Sequence, residues 1–551
     1  MSLKPLFLGS PRFATSEARA LASAGNMEEA WRLTLTDGIH AGLAQVGGDF
    51  ALALELADGR WLLASDRFGI RSLCYRLRDG ALEFAARADA LADKTPFDLQ
   101  ALYDYLYFHV IPAPRTVFDD VHRLPPAHCA LVEAGRSTVA AYWTPSFAPD
   151  RAASLSDLKA EFTELLEQAV RRQLDANPAC FLSGGTDSST VAGMMARVSG
   201  GPVQTYSIGF DAAGYDEIEY ARIAARRFGT QHHEHYVTPD DLVRWIPHVA
   251  QSYDQPFGNS SALPTFLCAS MAREHGVTKL LAGDGGDELF GGNTRYAKQK
   301  VFSVYDHVPA PLRRGLLEPL AGIGAVQRVP LVRKVASYVN QAKVGMPDRM
   351  MSYNLLDRLG HAEVFAEGFL AAVDVQEPLR HQRDQWQRVQ SGTIVDRMLA
   401  YDWRYTLADC DLPKVVGTTA LAGVDVGFPL LDDDLLAFSM RLPASYKVRD
   451  LKLRWFFKEA LRGFLPDEII TKKKHGFGLP FGVWAHRHAG LNALASDSLH
   501  SLAGRGIVRE AFVRDLLERR LAEHPGFYGE MVWLLLMLEQ WLGVHRPDFR
   551  L

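Results

Sequence analysis

The chain has 551 residues, of which 48% are hydrophobic and 23% are charged, and its formal net charge is −5. This is the composition of an ordinary globular protein that is long enough for two or more domains. The slight negative charge, without a strongly basic face, argues against nucleic acid as the main partner.

The sequence shows no apolar run long enough to span a bilayer, and its first residues, Met1-Ser2-Leu3-Lys4, lack the profile of a signal peptide. Its five cysteines are scattered and form no CxxC pair, which favours reduced thiols over disulfides or a zinc site. These features predict a cytoplasmic protein without a membrane partner.

From about Gly42 to Tyr142 the sequence predicts a β-rich domain. Short apolar runs between Asp-Gly and Arg-Phe-Gly turns are predicted as strands at Phe50–Leu56, Arg60–Ala64 and Leu73–Leu77. A proline-containing passage from Tyr142 to Ser154 indicates a linker. We therefore divide the chain into a first domain of residues 1–150 and a second domain of residues 151–551.

Beyond the linker the pattern alternates between helix and buried strand. The predicted order is a helix from Leu158 to Leu174, a strand Ala179–Leu182, a helix Asp187–Val198, a strand Val203–Phe210, a helix Ile218–Phe228 and a strand Lys279–Ala282. This alternation predicts an α/β fold with a doubly wound parallel sheet, which binds ligands at the carboxyl ends of its strands. After Thr294 the sequence is largely helical.

A glycine-rich loop, Ser183-Gly184-Gly185-Thr186-Asp187-Ser188-Ser189, follows the first of these parallel strands. Its glycines let backbone N–H groups approach an anion, its serines add hydroxyl donors, and the next helix points its positive end at the same place. Asp187 alone would repel phosphate, so its presence implies a bridging divalent cation, usually Mg²⁺. The loop predicts a nucleotide pyrophosphate site; the alternative is a simple tight turn.

A second loop, Gly283-Asp284-Gly285-Gly286-Asp287, follows a later strand and is longer than a turn requires. Asp287 is the natural second carboxylate for the metal, although Asp-Gly pairs also form ordinary turns. The first loop lacks the Gly-Lys-Ser/Thr ending of loops that cleave a terminal phosphate. It resembles instead the loop of enzymes that adenylate a carboxylate and release pyrophosphate.

With both loops, the chain resembles the synthetase domain of the asparagine synthetase family. Four further segments carry the resemblance: Tyr206-Ser207-Ile208-Gly209-Phe210, Asp254 to Thr265, Phe428-Pro429-Leu430-Leu431-Asp432, and Lys474 to Pro480. The similarity covers roughly Gly42 to Trp484 and implies an ATP-pyrophosphatase domain beside a smaller Ntn-like sandwich domain.

The resemblance implies ATP and Mg²⁺ as cofactors and assigns roles to particular residues. Adenosine would contact Leu182, Ile208 and Gly283. Pyrophosphate would be held by Ser183, Gly184, Gly185, Ser188 and Ser189, and Mg²⁺ by Asp187 and Asp287. Lys474 would neutralise charge at the acyl-adenylate. Asp284 would position the nitrogen nucleophile and accept its proton, or else support Mg²⁺ from outside its ligand set.

The chain departs from the family where the acceptor substrate is expected. Asp425 stands where family members commonly carry a Glu followed two residues later by Arg, and here that Arg is Gly427. An Asp-Arg pair upstream has become Val416-Gly417. These losses of charge put recognition of aspartate in doubt, while Asp425 is kept as a catalytic candidate.

The first domain lacks features of family members that use glutamine. Those members begin Met-Cys and use the cysteine as nucleophile, whereas this chain begins Met1-Ser2 and has its first cysteine at Cys74. The family's glutamine-binding segments are also missing. We expect a scaffold without glutaminase activity; Ser2 as a nucleophile is the alternative. Nitrogen would then come from free ammonia, a partner protein or a substrate amine.

Two basic or histidine-rich tracts have simpler interpretations. His232, His233 and His235 resemble a metal tract, but a structural role is favoured because the family has a similar segment. Lys472 and Lys473 are interpreted as solvated neighbours of Lys474, with a one-residue shift of the functional lysine as the alternative.

We therefore predict an ATP-dependent amide-bond synthetase that adenylates a carboxylate and transfers it to ammonia or an amine, releasing AMP and pyrophosphate. One alternative is an asparagine synthetase that uses free ammonia. The other is a non-catalytic nucleotide-binding scaffold or regulator. Members of the family are often dimers, so a homodimer is one possibility, and the sequence itself leaves the oligomeric state open.

Overall fold

The computed structural model describes residues 3–92, 95–306, 308–313, 338–389, 391–473 and 478–551. Within these ranges no helix combines the length and the apolar character needed to cross a membrane. A parallel sheet, antiparallel sheets and many helices occur together, which confirms a mixed α/β fold class.

The first part of the chain contains two antiparallel sheets. Their strands are β1 (Leu6–Gly9), β2 (Phe50–Glu55), β3 (Trp61–Ser65), β4 (Cys74–Arg78), β5 (Ala81–Ala85), β6 (His122–Arg123), β7 (His128–Glu133) and β8 (Arg136–Ala141). The larger sheet has the order β1-β2-β3-β7-β8 and the smaller one β5-β4-β6. Apolar side chains such as Ala53, Leu63 and Tyr75 pack together between the two sheets.

Helices cover the other face of the larger sheet. They are α1 (Ser16–Ser23), α2 (Met27–Thr34) and α3 (Ile39–Gln45), and a fourth helix, α4 (Leu99–Phe108), precedes β6. Trp31 of α2 packs against Phe50 of β2 with their rings 5.0 Å apart. The structure confirms the three predicted strands; β1 and α1–α3, which the sequence analysis does not predict, lie before them.

The second part of the chain is built on a parallel sheet. Its strands are β9 (Ala179–Phe181), β10 (Gln204–Phe210), β11 (Gln231–Val237), β12 (Lys279–Leu281) and β13 (Asp425–Gly427). The order β11-β10-β9-β12-β13 places β9 in the centre, where Cys180 is paired with Thr205 of β10 and Leu281 of β12.

Both faces of this sheet are covered by helices. Those that follow its first strands in the chain are α5 (Leu155–Gln173), α6 (Thr186–Val198), α7 (Ile218–Phe228), α8 (Pro239–Ser252), α9 (Ala262–Glu274) and α10 (Gly286–Phe290). Side chains alternate along each strand, so Cys180 and Leu281 enter a core with α5 and α6, while Ala179 and Leu280 enter another with α9. Because the strands are parallel, their carboxyl ends lie at one common edge of the sheet, where each strand continues into a loop.

The described residues after Thr294 are mainly helical, as predicted. The helices are α11 (Thr294–Asp306), α12 (Ala310–Leu312), α13 (Leu355–Leu359), α14 (His361–Val364), α15 (Glu367–Ala371), α16 (Glu377–Arg388), α17 (Ile394–Asp402), α18 (Leu412–Leu421), α19 (Asp433–Arg441), α20 (Ala444–Lys447), α21 (Trp455–Ala460), α22 (Asp467–Thr471), α23 (Phe481–Arg487), α24 (Ala489–Ala503), α25 (Glu510–Asp515), α26 (Leu521–Glu523) and α27 (Pro525–His545). A short hairpin pairs β14 (Val448–Arg449) with β15 (Lys452–Leu453). Residues Trp403–Asp411 form a π-helix that runs directly into α18.

Partly buried ion pairs join the two parts of the chain. Asp254, in the loop after α8, accepts hydrogen bonds from Arg123 at 2.6 Å and from the backbone N–H of Ala88 at 2.8 Å. Asp433, at the start of α19, pairs with Arg67 and accepts a hydrogen bond from the N–H of Gly48 at 2.7 Å. The antiparallel part is thereby held against the loops that surround the parallel sheet.

Candidate active site

A large cavity lies at the carboxyl ends of β9, β10 and β12, and its volume is about 1240 Å³. The two glycine-rich loops both line it, together with residues from α4, α18, α21 and α27. Of the residues to which the resemblance gives a catalytic, nucleotide-binding or metal-binding role, nine line this cavity: Leu182, Ser183, Gly185, Asp187, Ser188, Ile208, Gly283, Asp284 and Asp287. Gly184, Ser189 and Asp425 do not line it.

Backbone hydrogen bonds position the strand ends that would contact adenosine. The N–H of Leu182 donates to the carbonyl of Tyr206 at 2.8 Å, and the hydroxyl of Ser207 donates to the carbonyl of Leu182. These contacts extend the pairing of β9 and β10 beyond the strands and bring Leu182 beside Ile208. Both side chains form an apolar part of the cavity wall.

The first glycine-rich loop closes on itself through its serines. The hydroxyl of Ser188 accepts a hydrogen bond from the N–H of Ser183 at 3.1 Å and lies 2.9 Å from the hydroxyl of Ser183. Helix α6 begins directly after Gly185, which offers no capping side chain. The N–H groups of the first turn therefore face the cavity without a side-chain cap, an arrangement suited to an anion.

Glycine is required at two positions of these loops. Gly184 has a φ of +70°, and a Cβ there would lie 2.5 Å from the backbone N of Ala221 in α7. A Cβ at Gly283 would lie 2.7 Å from the backbone N of Ser188. Gly184 therefore allows the turn to pack closely against α7, and Gly283 allows the second loop to pack against the first.

Asp187 and Asp287 converge on one cation, the guanidinium of Arg454. Each carboxylate forms an ion pair with a different nitrogen of Arg454, whose side chain is only 8% exposed. Burial lowers the pKa of Arg454, and burial together with the charge of Arg454 lowers the pKa of the neighbouring Lys458. The two loops thus place two carboxylates around one buried guanidinium.

The same pair of carboxylates fits Mg²⁺. No group of three or more Asp, Glu, His or Cys side chains able to hold a metal occurs in the described ranges, so the protein offers two carboxylates here rather than a closed cage. Mg²⁺ is commonly bound by one or two carboxylates together with substrate phosphates and water. The backbone at Gly286 leaves no room for a Cβ beside the Asp187 carboxylate, which shows how closely the loops approach.

A second polar group surrounds a lysine that the sequence analysis did not single out. Lys414 of α18 is largely buried, and its ammonium lies 3.7 Å from Asp284 and 3.0 Å from Asp411. The side chain of Asn259 donates to Asp411 at 3.4 Å. Burial raises the pKa of Asp284, although the positive charge of Lys414 opposes this shift. The pKa of Lys414 is also raised, because the charges of Asp411 and Asp284 together outweigh the effect of its burial.

The π-helix explains how this group reaches the cavity. It ends at Asp411, and α18 then presents Lys414 one turn later. π-Helical turns are often found at functional sites. Asn259 lies in a segment that carried the family resemblance, whereas Lys414 and Arg454 come from segments with no local motif.

Lys472 was interpreted as a solvated neighbour, and the structure corrects this interpretation. Its ammonium lies 3.0 Å from Glu217 and 3.4 Å from the carbonyl of Gly184, and it sits 4.2 Å from the ring centre of Tyr220. Lys472 lines the cavity, whereas Lys473 is exposed. Lys474 lies outside the described residues.

Asp425 is not brought to the cavity. It is the first residue of β13 and pairs with Lys279, so it lies at the amino end of the parallel sheet. Its carboxylate is 3.4 Å from Arg71 of the antiparallel part. Gly417 also serves packing, because a Cβ there would lie 2.7 Å from the ring of Tyr253.

The three histidines of β11 have structural contacts. His232 lies 2.9 Å from the hydroxyl of Thr205, and His233 stacks on Tyr206 at 5.0 Å. His235 lies 3.6 Å from Asp241. Their rings therefore pair with separate neighbours rather than with one shared centre, in line with the structural role favoured from the sequence.

Comparison with known proteins gives two family matches. The family model described as asparagine synthase matches residues 161–543, and the one described as a glutamine amidotransferase domain matches residues 12–143. The larger match contains both glycine-rich loops, Lys414 and Arg454.

Individual relatives are similar over most of their length. A putative glutamine-hydrolysing asparagine synthetase of Mycobacterium tuberculosis is 26% identical over 528 residues, covering 91% of this chain and 77% of the relative. A glutamine-hydrolysing asparagine synthetase of Bacillus subtilis is 23% identical, covering 88% and 75%. The amidase chry2 of Gibberella zeae is 23% identical, covering 81% and 72%.

Proposed function

The chain belongs to the asparagine synthetase family, and on that premise we propose that it is an ATP- and Mg²⁺-dependent amide-bond synthetase. It adenylates a carboxylate, releases pyrophosphate, and passes the acyl group to ammonia or an amine while AMP leaves. The convergence of Asp187 and Asp287 on one cation, beside the start of α6, carries this proposal.

The first step requires charge control at the triphosphate. A carboxylate oxygen attacks the α-phosphorus, a new P–O bond forms, and the P–O bond to pyrophosphate breaks. When bound, Mg²⁺ would neutralise the departing phosphates and would be held by Asp187 and Asp287. Ser183, Ser188 and the first turn of α6 offer donors to the phosphate oxygens, and Lys472 adds positive charge beside Gly184.

The second step transfers the acyl group to nitrogen. The nitrogen lone pair attacks the carbonyl carbon, the C–O bond to AMP breaks, and one proton must leave the nitrogen. Asp284 faces the cavity, and its raised pKa makes it a better proton acceptor than an ordinary aspartate. Holding the adenylate and the nitrogen in one cavity replaces a dilute bimolecular encounter. Lys474 remains a candidate for stabilising the oxyanion.

We further propose that the antiparallel domain does not hydrolyse glutamine. A glutaminase of this family needs an accessible cysteine nucleophile. The two cysteines of the described residues within 12–143 are Cys74 and Cys129, which are both buried, and burial raises both of their pKa values. Ammonia would then come from solution or a partner protein, or the nucleophile is a substrate amine.

A second candidate function is asparagine formation from free ammonia. It is favoured by the relatives named asparagine synthetases. The absence of charge at Val416, Gly417 and Gly427, where family members carry charged residues, favours another acceptor. The two candidates differ in the carboxylate that triggers pyrophosphate release.

The test is pyrophosphate release from Mg²⁺ and ATP with a panel of carboxylates, with and without ammonium and simple amines. We expect release that depends on one carboxylate class, and we expect Asp187→Asn to abolish it. Asp425→Asn is the matched control and should retain the activity, because Asp425 lies at the other end of the sheet. Full activity of Asp187→Asn would overturn the metal assignment, and aspartate as the sole active acid would select the second candidate.

A further inference from the structure

One side of the cavity is an acidic wall, whose residues are connected to one another by ion pairs and hydrogen bonds. We use this name for Asp284, Lys414, Asp411, Asn259, His109 and Glu530, all of which line the cavity. Lys414 connects Asp284 to Asp411, and Asn259 donates to Asp411. The N–H of Gly258, next to Asn259, donates to the carbonyl of His109 at 2.8 Å.

At one end of the acidic wall, a residue of the antiparallel domain contacts a residue of the synthetase domain. His109 follows α4 in the antiparallel domain, where a φ of +67° turns the chain sharply. Its ring nitrogen Nδ1 lies 3.4 Å from the carboxylate of Glu530 on α27. The antiparallel domain therefore contributes to the synthetase cavity directly, through the backbone and ring of His109.

Charge along the acidic wall is unbalanced. Of the described residues that form it, three carry carboxylates, Asp284, Asp411 and Glu530, and only Lys414 carries an ammonium. Burial raises the pKa of Asp284, so Asp411 and Glu530 supply most of the negative charge. Burial lowers the pKa of His109, although Glu530 opposes the shift, so the ring does not supply a second full positive charge. A dicarboxylate would meet net repulsion here, whereas a cation would be attracted.

Aromatic side chains lie beside the acidic wall. Phe108, Phe481 and Trp533 line the cavity, and Trp533 packs edge-on against Phe481 at 5.1 Å. The indole N–H of Trp533 donates to the carbonyl of Gly258 at 2.9 Å, which fixes the ring next to the acidic wall. These rings give the cavity apolar surface next to the acidic wall, against which the apolar body of a substrate would pack.

We propose that the acidic wall is the recognition site for a substrate that carries a protonated amine on an apolar body, held between Glu530 and Asp411. This inference rests on the proposed amide-bond synthetase, since it names the class of substrate that enters the same cavity. It assigns the antiparallel domain a binding role through His109 in place of glutamine hydrolysis. It also excludes a small dicarboxylic acid as the preferred occupant of this wall.

The test compares two probes of equal length and opposite charge, 1,4-diaminobutane and succinate. Each is titrated calorimetrically into the full chain in the presence of Mg²⁺ and α,β-methylene-ATP, which prevents adenylation. We expect the diamine to bind at least tenfold more tightly than succinate. Glu530→Gln should weaken diamine binding at least tenfold, equal to about 1.4 kcal/mol, and should leave binding of the nucleotide analogue unchanged.

Two further variants make the result specific. Glu523→Gln removes an exposed carboxylate that pairs with Arg519 outside the cavity, and it should bind the diamine like the unmodified chain. Asp411→Asn provides a second substitution within the wall and should also weaken diamine binding. Its fold is checked by binding of the nucleotide analogue.

Each outcome has a defined meaning. Tighter binding of succinate, no binding of the diamine, or equal diamine affinity in Glu530→Gln and Glu523→Gln would overturn the inference. Failure of the nucleotide analogue to bind the unmodified chain would instead overturn the proposed function. The two failures are therefore distinguishable in a single set of titrations.

Discussion

The ion pairs of Arg454 with Asp187 and Asp287 make replacement of this arginine the most informative perturbation. In Arg454→Met the two carboxylates remain in their loops but lose the cation between them. Removing one partner of a buried pair costs about 3 to 5 kcal/mol, because the remaining charge stays buried after the loss of that partner. The carboxylates keep 17% and 23% exposure, so we expect the lower end, about 3 kcal/mol.

Mg²⁺ should recover most of this loss. A divalent cation can take the place of the guanidinium, and a ligand that binds only the folded state at about 100 times its dissociation constant stabilises it by about 2.7 kcal/mol. The assay is urea unfolding of the variant and the unmodified chain, each in EDTA and in excess Mg²⁺. We expect Mg²⁺ to stabilise Arg454→Met much more than the unmodified chain, where Arg454 already occupies the position.

Arg449→Met is the matched control. Arg449 is half exposed, lies 3.9 Å from Asp450 and stacks 4.3 Å from the ring centre of Trp455, so its loss should change the unfolding free energy by no more than about 1 kcal/mol. The reasoning is refuted if Arg454→Met gains no more from Mg²⁺ than the control does. It is also refuted if Arg454→Met is as stable in EDTA as the unmodified chain.

Three further predictions concern the loops and the second part of the fold. Gly283→Ala should weaken ATP binding at least tenfold, measured by fluorescence titration, because the new Cβ would push the two glycine-rich loops apart. The control is Gly201→Ala, whose Cβ would lie in open space, and this variant should bind ATP normally. Lys472→Met should raise the ATP concentration needed for half-maximal pyrophosphate release, and the exposed neighbour Lys473→Met should not; equal effects would contradict the contact of Lys472 with the first loop. Burial lowers the pKa of His381 to about 4, so the folded ring stays neutral while the unfolded ring takes up a proton below pH about 6.5, and stability should fall by about 2 kcal/mol between pH 6.5 and 4.5. Urea midpoints of His381→Gln should lose that part of the pH dependence, and an unchanged slope would show that the ring is not the cause.

Those parts of the site that lie within one continuous segment could be predicted from the sequence. Asp187 follows Gly184 and Gly185 in a loop between a strand and a helix, and that local order is enough to place it at a strand end. Asp287 follows the same rule after β12. The parallel sheet and the largely helical region were also predictable, because alternating strands and helices produce distinct periodicities.

The remainder of the site depends on long-range packing. Arg454 and Lys414 reach the cavity from segments that contain no motif, and only the fold shows that they face Asp187 and Asp284. Lys472 illustrates the same limit, because a run of three lysines does not reveal which one is turned inward by Glu217. Asp425 was assigned from its place in the resemblance, while the direction of β13 places it at the opposite edge of the sheet.

The most direct test of the account is a crystal structure of the chain with Mg²⁺ and α,β-methylene-ATP. The account predicts a metal ion in contact with Asp187 and Asp287, the β- and γ-phosphates on that ion at the start of α6, and the adenine beside Leu182 and Ile208. A triphosphate bound elsewhere, with Arg454 still paired to both carboxylates, would contradict it.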